Sequence, residues 1–151
     1  MAAVMVLLTA TTKVFARTTP KDGGNFNIVI ENFIASHLTT DYRKLDTALN
    51  DEAVFIIPRQ EKIMVQDRLN LIKQMKQNAG AKQNCEANYE ILSTSDALVI
   101  ARVNFEYSDF IQRNYVILEK NQNKDWKITQ VFKISEDKEQ SNDNLTVIAK
   151  I

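Results

Sequence analysis

The chain has 151 residues, of which 44% are hydrophobic and 25% are charged, so its composition is that of one ordinary globular domain. Its 19 basic and 19 acidic residues cancel, which leaves no basic field to attract a nucleic-acid backbone. One cysteine excludes an internal disulfide, and one histidine excludes a metal site built from several histidines. We therefore expect no metal, no cofactor and no nucleic-acid partner.

The N-terminal residues differ from the rest of the chain. Residues 2–10 form an apolar run that is too short to span a bilayer, and Val14, Phe15 and Ala16 offer small residues where a signal peptidase would read them. No Lys or Arg precedes the run. We predict a signal-like segment over residues 1–16 and a linker over 17–25. The protein would then be periplasmic or secreted, with no membrane contact after cleavage; the alternative is a cytoplasmic protein.

Two helical patterns follow the linker. Over residues 26–38 the apolar side chains recur every three to four positions, and the only histidine, His37, lies on their face. The polar residues 39–41 are predicted to end this helix and to cap a second one. That second helix carries a smaller apolar stripe and ends before Asn50.

The middle of the chain mixes strand and helix signals. Residues 53–57 are β-branched and aromatic and predict a short strand that Pro58 closes, and residues 62–65 predict a shorter one. A third helix is predicted over residues 66–79, with Gly80 as its C-terminal cap. Its predicted apolar stripe consists of Val65, Leu69, Ile72, Met75 and Ala79.

Strand patterns dominate the last third of the chain. Four segments joined by short polar turns predict an antiparallel meander, and they cover residues 85–91, 99–107, 110–120 and 126–134. Residues 135–151 then form a charged linker and an apolar C-terminal strand or tail, which would be adhesive if exposed. The sequence thus predicts one α+β domain over residues 26–134.

This order of elements resembles the nuclear transport factor 2-like superfamily, and residues 33–41 (FIASHLTTD) are similar to its first-helix motif. The position of His37, with residues 97–103 and 125–128, is similar to the lumazine-binding and polyketide-cyclase-like branch, although that branch has glycine where Thr40 stands. The resemblance implies a cystatin-like α+β cone, with N-terminal helices packed on a curved, mainly antiparallel sheet. A homodimer through the outer sheet face is expected. The superfamily contains isomerases, dehydratases and transport factors, so the fold does not choose a function.

Six residues are candidates for ligand contacts inside such a cone: Phe33, His37, Phe55, Tyr89, Trp126 and Gln130. His37 is either a hydrogen-bond donor or general base toward a ligand, or a core histidine that a neighbouring group satisfies. Gln130 is a polar residue in the apolar row of the last strand. It would contact a ligand, bridge to His37 or face a dimer partner.

Two further points stay open in the sequence. In the strand 110–120, either Arg113 and Tyr115 or Gln112 and Asn114 face inward, and an inward arginine would select an anionic ligand. No Asp or Glu falls on the predicted inward rows, which argues against an enzyme. The first hypothesis is therefore a small-molecule-binding protein of unknown ligand. The alternatives are an isomerase or dehydratase-like enzyme with His37 as base, and a protein-interaction module acting through the outer sheet face.

Overall fold

The structure, a computed structural model, describes residues 25–138. The predicted signal-like segment 1–16, nearly all of the linker and the apolar stretch 145–151 lie outside these residues, and what was predicted of them stays a prediction. The described elements are α1 (Phe26–Thr39), α2 (Tyr42–Ala48), β1 (Leu49–Arg59), β2 (Lys62–Asp67), α3 (Arg68–Gln77), β3 (Glu86–Thr94), β4 (Leu98–Glu106), β5 (Phe110–Lys120) and β6 (Trp126–Asp137). Within residues 25–138, no helix is long and apolar enough to cross a membrane.

The first two helices confirm the predictions from periodicity and capping. α1 buries Phe26, Ile30 and Phe33 on its apolar face. The helix ends where Thr40 adopts a left-handed backbone (φ 49, ψ 45), a conformation that is strained for a β-branched residue. Asp41 then caps α2, because its carboxylate accepts hydrogen bonds from the first free backbone N–H groups of that helix.

One six-stranded sheet carries the helices, in the spatial order β2-β1-β6-β5-β4-β3. The pair β1–β6 is parallel and every other neighbouring pair is antiparallel, so the predicted four-strand meander is confirmed as β3 to β6. The predicted α+β class, with helices on a curved, mainly antiparallel sheet, is confirmed as well. The core lies between α1 and one face of the sheet and includes Ile30, Phe55 and Phe105.

A β-bulge in β6 changes which residues of that strand face the helices. Leu118 pairs with Ile128, but the next residue back on β5, Ile117, pairs with Gln130, so Thr129 is an extra residue. A one-residue insertion reverses the alternation of the side chains that follow it. Beyond the bulge, Val131 faces the core, where it is fully buried.

Several elements depart from their predicted bounds or faces. β6 continues to Asp137, so residues 135–137 belong to the sheet and not to the predicted charged linker, and β3 continues to Thr94. β1 is longer than predicted because it begins at Leu49, which pairs with Ile128 of β6, and it continues through Pro58. α3 begins only at Arg68, since the Asp67 carboxylate caps it. The predicted stripe of α3 was wrong at three positions, because Val65 and Leu69 are exposed and Ala79 lies beyond the end of the helix; the buried positions are Leu71 and Ile72.

Candidate functional site

A cavity of about 370 Å³ lies between α1, α3 and the inner face of the sheet. Its apolar lining consists of Phe33, Phe55, Leu71, Met75 and Ala81. Polar residues are more numerous in the lining: Ser36, His37, Thr40, Gln74, Asn78, Gln83, Gln112, Asn114 and Lys133. The cavity therefore combines apolar surface, which is usual for a small-molecule site, with more hydrogen-bonding groups than such a site needs for orientation.

His37 is held by contacts on two sides and also lines the cavity. Its ring stacks on Phe105 with the centroids 3.8 Å apart, and its Nε2 lies 2.9 Å from the hydroxyl of Tyr107. That hydroxyl donates to Oε1 of Gln83 at 3.3 Å, so the Tyr107 oxygen accepts from Nε2–H of His37. Burial, and secondly the charge of Lys133, lower the pKa of His37 to about 4. At neutral pH the imidazole is uncharged.

Tyr107 continues this chain of contacts toward Cys85. Burial, followed by the interaction with the neighbouring Cys85 thiol, raises the pKa of Tyr107 to about 12. The phenol is therefore protonated across the physiological range and serves as a hydrogen-bonding group. A neighbouring side chain thus satisfies one ring nitrogen of His37, and the residue also lines the cavity. Its predicted role toward a ligand stays a prediction.

Lys133 of β6 contributes a cation to the cavity wall. The bulge at Thr129 turns Val131 and Lys133 toward the inner face, where Lys133 stands opposite Asn114 of β5. Its side chain is partly buried. Burial, followed by the positive charge of Arg59, lowers the pKa of Lys133.

Two amides on β5 lie beside this lysine. Gln112 and Asn114 share the inward row, so the strand presents them to the cavity, while Arg113 faces outward and forms an ion pair with Glu136 (Nε to Oε2 3.2 Å). Asn114 is fully buried, and its Nδ2 donates to the backbone oxygens of Val103 at 3.2 Å and Gln112 at 3.3 Å. The question left open by the sequence is thus decided in favour of the amides.

The loop between α3 and β3 forms one rim of the cavity and is fastened to the end of α1. Gly80 N–H donates to the backbone oxygen of Thr40 at 3.4 Å, and Gln83 N–H donates to that of Leu38 at 2.9 Å. The Thr40 hydroxyl donates to the backbone oxygen of Ala81 at 2.6 Å. Asn78, Ala81 and Gln83 line the cavity from this loop.

Three of the six predicted ligand contacts meet at this cavity, namely Phe33, His37 and Phe55. Phe33 reaches it from the buried face of α1, and Phe55 reaches it from the inward row of β1, where it is 2% exposed. Their positions follow directly from the periodicities of the helix and the strand.

The other three predicted contacts, Tyr89, Trp126 and Gln130, do not line it. The Tyr89 hydroxyl donates to Oδ1 of Asn27 at 3.2 Å, so this side chain closes the core beside α1. Trp126 packs edge to face on Phe26 at 5.8 Å, near the opposite end of β6, and lines a separate cavity there. The bulge places Gln130 on the outer face, opposite Ile117, so the ligand contact and the bridge to His37 are wrong, while the dimer-facing alternative stays a prediction.

The sequence reasoning missed Lys133 because it continued the alternation of β6 without a break. A signal was present, since Thr129 and Gln130 are adjacent polar residues inside an apolar strand and interrupt a period of two. Gln74, Asn78 and Gln83 were also missed. The first of these lies on the exposed side of a predicted helix, and the other two lie close to its end, where side-chain direction has no period.

The cavity lining contains few ionisable side chains. Among residues 25–138, no Asp or Glu lines the cavity, and no group of three or more His, Cys, Asp or Glu could hold a metal ion. The described ion pairs lie elsewhere, at Arg68, Arg102 and Arg113. The lining is thus neutral apart from one lysine.

Comparison with known proteins supports the fold. No protein-family model and no curated protein matches the sequence. Among solved structures, an NTF2-like protein of unknown function from Silicibacter pomeroyi DSS-3 superimposes with a TM-score of 0.62 at 11% identity, covering 74% of this chain and 92% of its own. An NTF2-like protein from Cytophaga hutchinsonii gives a TM-score of 0.59 at 18% identity, covering 74% and 95%.

A ketosteroid isomerase-like protein from Erwinia carotovora atroseptica is similar too, with a TM-score of 0.57 at 12% identity over 74% of this chain and 96% of its own. The chain therefore has the fold of the nuclear transport factor 2-like superfamily, as its sequence predicted. Proteins of this fold commonly form a ligand-binding or isomerase-like cone. The assignment to the lumazine-binding branch stays a prediction.

Proposed function

We propose that the protein binds a small, partly aromatic molecule in the cavity between α1, α3 and the sheet. The observation that carries this proposal is the lining itself, which combines the aromatic rings of Phe33 and Phe55 with several amides and one cation. The volume of about 370 Å³ falls within the range of roughly 300–1,000 Å³ that is usual for small-molecule sites.

The state of His37 favours binding over catalysis. Its pKa of about 4 makes the imidazole a weak base at neutral pH, and Tyr107 already occupies its Nε2. General-base catalysis is most effective when the pKa of the base lies near the working pH. The alternative in which His37 removes a proton from a substrate therefore has less support than a role for His37 as a neutral hydrogen-bonding and stacking group.

A thermal-shift screen against flavins, pterins, steroids and aromatic acids tests the proposal. A ligand at about 100 times its dissociation constant adds roughly 2.7 kcal/mol of stability, which raises the melting temperature by several degrees at about 2–4 °C per kcal/mol. A compound that stabilises the protein is then titrated against two matched methionine variants.

Met75 lines the cavity from α3, whereas Met64 lies on the edge strand β2 and is 41% exposed. Met75→Trp should fill the cavity and abolish the shift. Met64→Trp should leave it unchanged. An absence of any stabilising compound, or a shift that persists in Met75→Trp, would refute the cavity as a binding site and favour the interaction-module hypothesis.

We also propose that two copies associate through the outer face of the sheet. What supports this is a row of Ile56, Phe132 and Tyr115 on adjacent strands, beside a second row that contains Ile117 and Ile100. Apolar side chains that point away from the helices in such a continuous patch lack a covering layer, and such patches usually mark protein contacts.

A further inference from the structure

We propose that the cavity takes a small monoanionic carboxylic acid, with the ammonium group of Lys133 as the counter-ion for the carboxylate. This inference rests on the proposed function and narrows it to one chemical class. It follows from three observations: the position of the lysine, the absence of an acidic partner among the described residues, and the groups that surround it.

The bulge at Thr129 puts the lysine among hydrogen-bond donors. Lys133 stands directly opposite Asn114, and Gln112 follows on the same inward row of β5. Side chains directly opposite one another in antiparallel strands have their Cβ atoms about 4.5–5.5 Å apart. Both N–H groups of Asn114 already donate to backbone oxygens, whereas Gln112 keeps one N–H beyond its bond to Asn114. A carboxylate beside the ammonium group can accept that N–H of Gln112 through its second oxygen.

Among residues 25–138, no carboxylate forms an ion pair with Lys133. The described ion pairs connect Arg68, Arg102 and Arg113 to surface acids, and Lys133 takes part in none of them. The groups that act on it electrostatically are cationic or neutral: Arg59 repels its charge, and it in turn repels a proton on His37. A buried charge without a partner is costly. A bound anion would remove that cost.

The charge balance and the walls define the ligand class. One buried ammonium group neutralises one negative charge, so a monoanionic carboxylate suits the site better than a dianionic phosphate. The cavity is also lined by Phe33 of α1 and by Phe55 of β1, the strand that pairs with β6, and these two rings favour an aromatic or other apolar body on the acid. An aromatic monocarboxylic acid satisfies both parts of the lining.

The test compares acids with neutral analogues of the same shape in calorimetric titrations at pH 7. The probes are benzoate and naphthoate, each beside its primary amide, with phenyl phosphate as the dianion. We expect each carboxylate to bind at least about tenfold more tightly than its amide, because a hydrogen bond to a charged group is stronger than a neutral one.

Two lysines of β6 provide the variant and its control. Lys133→Met should remove the preference for the acid. Lys127→Met changes a lysine whose Nζ contacts the backbone oxygen of Thr47 (2.6 Å) away from the cavity, and it should keep the preference. Lys133→Met is also expected to melt no lower than the wild type, since it removes a buried, unpaired charge. That result ensures that a loss of binding does not reflect unfolding.

Amides that bind as tightly as acids, or stronger binding of phenyl phosphate, would overturn the carboxylate inference and leave the proposed function standing. If neither the probes nor any compound of the thermal-shift panel binds, both proposals fall.

Discussion

Replacing His37 with phenylalanine should remove a loss of stability that the wild-type protein suffers in acid. The imidazole stacks on Phe105, and its burial beside Lys133 lowers its pKa to about 4 from an ordinary value of 6.5. Between these two values the unfolded chain binds a proton more readily than the folded protein. The stability that depends on neutral His37 is therefore fully present above about pH 6.5 and is lost as the pH falls toward 4.

The size of the effect follows from the two pKa values. Each pKa unit corresponds to about 1.4 kcal/mol, so the wild type should lose about 3 kcal/mol of unfolding free energy at pH 4 through this one group. Near pH 5.5 the loss should be about 1.4 kcal/mol. A phenylalanine ring preserves the stack on Phe105 and cannot take up a proton, so the unfolding free energy of the variant lacks this dependence on pH.

Urea unfolding followed by circular dichroism from pH 8 to pH 4 measures the difference between the two proteins. The acidic residues of the chain titrate in both, so the difference between wild type and His37→Phe isolates the imidazole. Tyr107→Phe is the control, because it deletes the hydrogen-bond partner at 2.9 Å and leaves His37 buried. The control should be less stable throughout, by about 1–3 kcal/mol, and should keep the wild-type dependence on pH.

Parallel pH profiles for the wild type and His37→Phe would refute this reasoning. They would mean that the folded protein accepts a proton on His37 as easily as the unfolded chain does. The stacked, desolvated position of the ring would then be wrong, and with it the description of His37 as a neutral group in the cavity wall.

Three other substitutions test separate features. Thr40→Val keeps the strained left-handed backbone, Thr40→Gly relieves it, and both variants lose the hydroxyl bond to Ala81. In urea unfolding, the valine variant should be less stable than the glycine variant by about 1 kcal/mol. Equal stabilities of the two variants would contradict the strain. Asn114→Leu deletes the two hydrogen bonds that a fully buried amide donates and the one that it accepts from Gln112. The free energy of unfolding should fall by about 1–3 kcal/mol, and an unchanged value would argue against those bonds. Phe132→Glu should convert a dimer into a monomer in light scattering, with Phe132→Leu as control, and an unchanged mass would contradict association through the outer face.

Much of the fold was predictable because its signals are local. The buried face of α1 follows from the spacing of Phe26, Ile30 and Phe33, and the start of α2 follows from the side-chain oxygen of Asp41. The meander follows from alternation and short turns. Each of these features is decided by residues within about one turn of helix or one strand, so a single sequence contains the information.

Half of the site was not predictable because it depends on pairing between distant segments. The inward face of β6 changes at Thr129, and only the register with β5 shows that Lys133 replaces Gln130 in the cavity. The choice between Arg113 and Gln112 needed the same register. The rim residue Gln83 lies in a loop, where no period exists to give its direction.

The hydrogen bonds between the α3–β3 loop and the end of α1 should slow both amide exchange in the loop and the entry of a ligand. Gly80 and Gln83 lie outside regular secondary structure, yet their N–H groups donate to carbonyl oxygens at the end of α1. Their amide hydrogens should therefore exchange with solvent only when the last turn of α1 separates from the loop. If that separation admits the ligand, uptake and release would be slow even for a molecule of modest affinity.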